Sequence, residues 1–360
     1  MEKGDEKMNK KIVILLFCLF LTNYFAILAG ENKNHSTLSI SNLDLGTHIT
    51  VMDKDPSQNE TVATSTLLAD FASHIIYGEG GRVEAIMPGG VCPAHYEVTP
   101  TDYDLVDSAD IIFSHGMEGS YWLNDLLNGA NNTEAEVKVG PLVGGIPWGP
   151  PENAIQYVTE MTKILNNTYD QPENITKFNQ NSQAFINEIL SNKTYLEGLA
   201  ATYGFANVKV VCMVYQQKFL EWLGFEVVGV WTKSDEQMSV NDVMQVVNNA
   251  TTYKAQLIVS NLQSGTDVGA QIAAESNAIH VILSNFVGAV PNTPTYIDTI
   301  NYNVEQLKHG KDLYDLYQNL LSEISQERDI YRIVSFIFIG ISIVAMVIAV
   351  LQYIRIKKLA

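Results

Sequence analysis

Basic residues and cysteines are scarce in this sequence. The 360 residues include 22 lysines and arginines against 40 aspartates and glutamates, which gives a net charge of −18. A nucleic-acid-binding protein presents a basic surface to phosphates, so this balance argues against nucleic acid as a partner. Three cysteines are too few for a small scaffold held together by disulfides.

The short motifs of common enzyme classes are also missing. The sequence contains no Walker phosphate-binding loop, no Gly-x-Ser-x-Gly elbow and no His-Glu-x-x-His helix. We therefore predict that the protein is not an enzyme. Apolar residues make up 46% of the chain, which is enough for packed cores, and the length suits about two domains of roughly 150 residues each.

Two long apolar runs lie near the ends of the sequence. Residues 12–29 follow Lys10 and Lys11 and end in small residues, a pattern typical of a secretory signal. We assign residues 1–30 to a signal peptide, with an uncleaved signal anchor as the alternative. Residues 333–354 carry no charge and would extend about 33 Å as a helix, enough to cross a membrane.

The charges around these runs predict the topology. Arg355, Lys357 and Lys358 follow the second run directly, which predicts a cytoplasmic C-terminus and an extracytoplasmic body. Residues 31–330 contain 14 basic and 37 acidic residues, a net charge of −23. Seven Asn-x-Ser/Thr sequons support an exported, glycosylated domain; they start at Asn34, Asn59, Asn131, Asn166, Asn174, Asn192 and Asn249.

Strand-like and helix-like segments alternate along the body, which predicts an α/β fold with parallel strands. The first strand is placed at residues 48–52 and is followed by a helix from Ser65. No strand is predicted between 151 and 202. We expect two α/β lobes joined by a helical linker with a long rigid spine helix; the assigned segments are 45–150, 151–203 and 204–310. Residues 311–332 form a juxtamembrane helix, with a break predicted at Gly310.

Residues 87–127 carry the most specific pattern in the chain. They include the segment Pro-x-His-Tyr-Glu-x-Thr-Pro at positions 93–100. This segment resembles the first lobe of the zinc/manganese (TroA-like) solute-binding receptors of ABC transporters. Trp148 with residues 150–154, and the segment 219–231, resemble later motifs of that family. The resemblance covers roughly 45–310 and implies two lobes on one spine helix, with a metal ion captured between them and delivered to an ABC permease.

The resemblance also implies four metal ligands in the interlobe cleft. This sequence keeps one of them, His95. The second position falls on Ile146, whose side chain cannot bind a metal ion. The third falls on Met213, or on Cys212 after a shift of one residue. The fourth is a glutamate in one branch of the family, and that position falls on Asn261; the family's terminal aspartate falls on Ser284.

The replacements suggest a different donor set. If the implied fold is right, Cys92, His95, Cys212 and Met213 approach one cleft. Thiolate, thioether and imidazole groups favour soft ions such as Cu(I) or Zn, whereas carboxylates favour Mn. We expect these four residues to bind such an ion. The alternatives are core packing of Cys212 and Met213 and a disulfide between Cys92 and Cys212.

Neutral polar residues are predicted at the ends of the second-lobe strands. Ligands of open α/β sheets lie at these carboxyl ends, and amides beside an aromatic ring suit an uncharged or oxyanionic molecule. The candidate residues are Trp148, Tyr215, Gln216, Asn261, Gln263, Ser284 and Asn285. Ser264 or Thr266 is predicted to cap the next helix, whose N–H groups could instead face an anion.

The sequence therefore favours a membrane-anchored, extracytoplasmic solute-binding receptor of an ABC importer, with Zn, Cu or Mn as its transported ligand. Two alternatives remain. One is the same receptor fold binding a non-metal small molecule or oxyanion. The other is a surface adhesion or scaffold protein that has no ligand.

Overall fold

The computed structural model describes residues 60–78, 82–139 and 148–359, with side chains described as far as Ile343. The predicted signal at 1–30, the predicted strand at 48–52 and Ile146 lie outside these residues. The described residues form two α/β lobes, two linker helices and one long C-terminal helix.

The first lobe contains a parallel sheet in the order β2-β1-β3-β4. Its strands are β1 (Thr61–Ser65), β2 (Glu84–Met87), β3 (Ile111–Ser114) and β4 (Glu136–Lys138). Its helices are α1 (Thr66–Tyr77), α2 (Pro100–Asp107) and α3 (Leu123–Gly129). The sequence reading missed β1 and began the helix one residue early. Ser65 ends the strand and caps α1 by accepting a hydrogen bond from the Leu68 N–H at 3.3 Å.

The linker consists of two helices, α4 (Pro151–Thr168) and α5 (Pro172–Tyr203). Each has proline at its first position, where a missing N–H costs no helical hydrogen bond. The 32-residue α5 packs a stripe of apolar residues, including Phe178, Phe185 and Ile189, into the core. Gly204 caps its C-terminal end with a φ of 67°, a conformation that suits glycine. The predicted arrangement of two lobes with a long helix between them is confirmed.

The second lobe contains a parallel sheet in the order β6-β5-β7-β8. Its strands are β5 (Lys209–Met213), β6 (Glu226–Trp231), β7 (Leu257–Asn261) and β8 (Ile279–Leu283). Its helices are α6 (Gln217–Trp222), α7 (Val240–Tyr253) and α8 (Asp267–Ser276). Successive side chains of a strand point to opposite faces, so β5 contributes Cys212 to one apolar cluster and Met213 to another.

The last helix, α9 (Tyr296–Leu359), changes character along its length. Its first turns bury Tyr296, Ile300, Val304 and Leu307 against the body. The break predicted at Gly310 is wrong: the helix continues, and a Cβ at this position would lie 2.5 Å from Val281 Cγ2. The glycine therefore allows close packing of α9 on β8.

Beyond this contact the apolar residues of α9 are exposed, from Leu313 at 41% to Ile343 at 57%. No helix within the described part of the chain has the length and apolarity required to cross a membrane. The predicted span 333–354 continues past Ile343, beyond which side chains lie outside the description.

Candidate functional site

The two lobes contact each other through the segments that follow their strands. Thr66 Oγ1 donates a hydrogen bond to the Val287 carbonyl at 2.7 Å. Gln263 Nε2 donates to the Gly89 carbonyl at 2.8 Å. Gly89 has no room for a side chain, because a Cβ there would overlap the Val287 carbonyl oxygen. The cleft is therefore closed by direct contacts between the lobes.

The family-like segment at 93–100 forms a rigid loop that carries His95. Residues Pro93–His95 form one 3₁₀ turn. The Trp122 indole donates to the Pro93 carbonyl at 3.0 Å, and its ring meets Tyr96 edge-on. The Tyr96 hydroxyl donates to Asp102 Oδ2 at 2.8 Å, and Asp102 also accepts the Thr99 N–H at 2.6 Å. Burial raises the pKa of Tyr96, and its bond to Asp102 raises the pKa further.

His95 faces the second lobe at the mouth of the cleft. Its Nε2 lies 3.4 Å from Glu236 Oε2, with the two side chains 50% and 71% exposed. Glu236 belongs to the 3₁₀ turn Asp235–Gln237, which follows β6. Sequence reasoning missed Glu236 because no motif surrounds it. One indication of Glu236 is present in the sequence: it belongs to the acidic pair Asp235–Glu236, shortly after a strand.

The soft-metal set predicted from the sequence is not assembled. Cys212 and Met213 are both buried, at 0% and 1% exposure, and they belong to different apolar clusters. Neighbouring residues of one strand cannot both turn toward the same ion, which is the physical reason for this correction. Burial also raises the pKa of the Cys212 thiol, opposing the thiolate that would bind metal.

Cys92 is partly buried and remains near the cleft, where it lies close enough to Tyr215 to influence its ionisation. Both Cys92 and Cys212 are free thiols, so the alternative of a disulfide between them is wrong. Across the described ranges, no three His, Cys, Asp or Glu side chains form a group that could hold a metal ion.

The neutral polar residues predicted at the second-lobe strand ends do lie together. Gln216 Nε2 donates to Asn285 Oδ1 at 2.7 Å and lies 3.4 Å from Asn261 Oδ1. Gln263 Nε2 is within 3.2 Å of Ser284 Oγ, and its Oε1 accepts the Asn285 N–H at 3.1 Å. These five side chains, which we call the amide cluster, are at least nine-tenths buried. They form their hydrogen bonds mainly with one another.

Trp148 and Tyr215 occupy different positions beside this cluster. Trp148 is 2% exposed, and its indole donates to the Asn285 carbonyl at 2.8 Å. Its ring stacks on His115 with centroids 4.4 Å apart. Tyr215 is half-buried, and burial raises the pKa of its hydroxyl. Trp148 thus fills the region behind the cleft mouth rather than offering an open aromatic face.

The N-terminus of α8 is capped from another part of the lobe. Neither Ser264 nor Thr266 supplies the predicted side-chain cap. Asp235 Oδ2 instead accepts the N–H groups of Asp267 at 2.7 Å and Val268 at 3.2 Å. A carboxylate already occupies the position proposed for an anion, so that alternative is not supported.

Comparisons with known proteins identify the family. Residues 61–310 match the family described as ZnuA, zinc-uptake complex component A periplasmic. This match covers more than two thirds of the chain. The chain belongs to this family. The resemblance read from residues 87–127 is therefore confirmed, and the family is one of binding proteins rather than enzymes.

Two relatives have low sequence identity to this chain but align with it over most of their length. The chain is 21% identical to the manganese-binding lipoprotein MntA of Halalkalibacterium halodurans over 290 residues, which are 74% of this chain and 92% of that protein. It is 24% identical to the iron-binding protein YfeA of Yersinia pestis over 272 residues, 70% of this chain and 86% of that protein.

A solved structure shares the fold. The Mn-bound periplasmic metal-binding protein of Candidatus Liberibacter asiaticus superposes with a TM-score of 0.60 at 18% identity, covering 71% of this chain and 100% of that one. At this identity the likeness concerns the fold, and the residues of this chain must indicate its ligand.

Proposed function

We propose that this protein is the extracytoplasmic substrate-binding component of an ABC importer, and that its cargo is a divalent transition-metal ion captured at the interlobe cleft. The observation that carries this proposal is His95, which stands on a braced loop at the cleft mouth and faces a carboxylate of the other lobe at 3.4 Å. The family and the metal-binding names of its relatives support the same class of cargo.

The accessible donors favour ions of intermediate hardness. An imidazole and a carboxylate together bind Zn²⁺, Mn²⁺ and Fe²⁺, whereas thiolate and thioether ligands favour Cu(I). Cys212 and Met213 are buried in apolar clusters, so a Cu(I) cargo has little support. The ion is cargo for a permease, and no covalent chemistry is required of the protein.

We further propose that the apolar end of α9 holds the body at the membrane. Between Ile333 and Ile343 most apolar side chains are more than half exposed, including Phe336 at 69% and Phe338 at 65%. Such a surface is unfavourable in water and favourable in lipid. The relative MntA is named a lipoprotein; in this chain we propose that residues 333–354 provide membrane attachment.

One observation favours a second candidate, a surface scaffold without a ligand. The side chains of the amide cluster bond mainly to one another and to the Gly89 carbonyl of the first lobe. The cavity beside Gln216, Ser284 and Asn285 has a volume of only about 20 Å³, room for about one water molecule. An organic molecule does not fit this cavity, which weighs against a non-metal ligand at the amide cluster.

Metal binding to the full chain separates these functions. The purified protein, in detergent, is dialysed against Zn²⁺ or Mn²⁺, and the bound metal is measured by mass spectrometry. We expect one ion per chain. The dissociation constant of His95→Ala should be at least tenfold higher, because the histidine supplies a direct ligand. His309→Ala, which removes another exposed histidine, is the matched control and should bind as the natural protein does. A folded protein that binds neither ion would favour the scaffold.

A further inference from the structure

We propose that Glu236 is the second protein ligand of the metal ion, so that the site bridges the lobes at the cleft mouth, and that Asp235 is the residue that positions it. This inference rests on the proposed function and deepens it. It differs from the donor set that the family resemblance implies, which places the remaining ligands at Ile146, Met213 or Cys212, Asn261 and Ser284.

The separation of His95 and Glu236 suits a shared ion. Their Nε2 and Oε2 atoms are 3.4 Å apart. A direct charge-assisted hydrogen bond is shorter, about 2.7–2.9 Å. Two ligands at about 2.1 Å from a tetrahedral metal ion lie about 3.4 Å from each other. The pair therefore already has the spacing of two tetrahedral ligands, with solvent free to supply the others.

The neutral amides of the inner cleft compete poorly for a metal ion, because they are already bonded to one another. Trp148 is buried there against His115 and Asn285. Gln216 and Asn285 are hydrogen-bonded to each other. Breaking this cluster to bind an ion would leave buried polar groups unpaired, which is costly. The exposed pair at the mouth needs no such rearrangement.

Asp235 fixes the turn that presents Glu236. Its Oδ2 accepts two N–H groups from the first turn of α8, where a negative charge is also favoured by the helix dipole. Gly265, with φ of 95°, leaves room for this carboxylate, because a Cβ at that position would overlap Asp235.

The helix that receives Asp235 is itself held close to the sheet. A Cβ at Gly269 in α8 would overlap Ser260 Oγ and lie 2.8 Å from His280 Nε2. These contacts connect the second sheet to α8, and α8 through Asp235 to Glu236. The carboxylate is thus presented from a rigid part of the lobe, which reduces the entropy lost when it binds.

The test measures dissociation constants of Zn²⁺ and Mn²⁺ for the full chain by the dialysis experiment above. Glu236→Gln removes the charge of an exposed side chain and should raise the dissociation constant at least tenfold. Glu275→Gln, an equally conservative change of an exposed glutamate on α8, is the matched control and should change it less than twofold.

Asp235 is tested by a conservative and a disruptive variant. Asp235→Asn keeps an oxygen that can accept the two N–H groups and should bind within about threefold of the natural protein. Asp235→Ala should weaken binding about tenfold, in the range seen when groups supporting a ligand are removed. In the Glu236→Gln background it should have no further effect. A purely structural role would predict equal losses in both backgrounds.

These variants distinguish a failure of this inference from a failure of the proposed function. Loss of binding in His95→Ala with normal binding in Glu236→Gln would overturn this inference and leave the proposed function standing. Normal binding in Asp235→Ala would overturn the role of Asp235 alone. Absence of metal from the natural protein would overturn the inference together with the proposed function.

Discussion

His115 shows how a polar residue near the cleft can be structural. Its Nε2 lies 2.8 Å from Ser65 Oγ, and its ring is packed against Trp148. Complete burial lowers the pKa of His115 from 6.5 to about 4, although the nearby Glu118 opposes the shift. Glu118 is also fully buried, and its Oε1 accepts a hydrogen bond from Thr64 Oγ1 at 2.7 Å. Both side chains are therefore held in the buried interior, away from the exposed pair His95 and Glu236.

His115 should make the protein less stable in acid. The unfolded chain binds the histidine proton near pH 6.5 and the folded protein near pH 4, so unfolding takes up a proton between these values. Stability is therefore complete above pH 6.5 and falls as the pH decreases through this window, by about 2 kcal/mol between pH 7 and pH 5. Urea unfolding at both pH values should show a smaller loss for His115→Gln. An equal loss in both proteins would contradict the role of His115.

Sequence reasoning found a residue that lies within a local motif and missed a residue whose position depends on tertiary structure. His95 lies inside a contiguous motif whose prolines, tyrosine and threonine shape its own loop, so its position was predictable. Glu236 meets it only through the relative placement of two lobes, which no local pattern encodes. Cys212 and Met213 lie at the right place in the chain, but the alternation of side chains along β5 buries them.

The alternation of strands and helices could be predicted from the sequence, whereas the packing around particular residues could not. Gly310 was predicted to break a helix because glycine is a poor helix former. In the structure, Gly310 lies inside α9, and its lack of a side chain allows the helix to pack closely against Val281. The spine helix was predicted closely because its apolar spacing is long and regular, and it is confirmed as α5 (Pro172–Tyr203).

The exposed apolar residues of α9 predict that the protein attaches to a membrane. The full chain should remain with the membrane fraction after a high-salt wash, because apolar burial is insensitive to salt screening. A chain ending after Arg332 should be recovered in the soluble fraction, since it lacks residues 333–354. Immunoblots of both fractions make the measurement. A truncated chain that stays with the membrane would show that this segment is not the anchor.

The whole molecule is an acidic, two-lobed binding protein, and we propose that it holds a metal ion between His95 and Glu236 rather than among sulfur ligands. The family match over residues 61–310 establishes the receptor architecture. The closure of the cleft by Thr66, Gln263 and Trp148 shows how the lobes meet behind the mouth. The proposed ligand pair, His95 and Glu236, lies between the two lobes of that architecture.

X-ray absorption at the zinc edge of the Zn-loaded full chain identifies the atoms that bind the ion. We expect only nitrogen and oxygen neighbours at about 2.0–2.1 Å, with the outer-shell scattering of one imidazole that disappears in His95→Ala. A sulfur shell at about 2.3 Å would contradict the account, because it would place cysteine in the site.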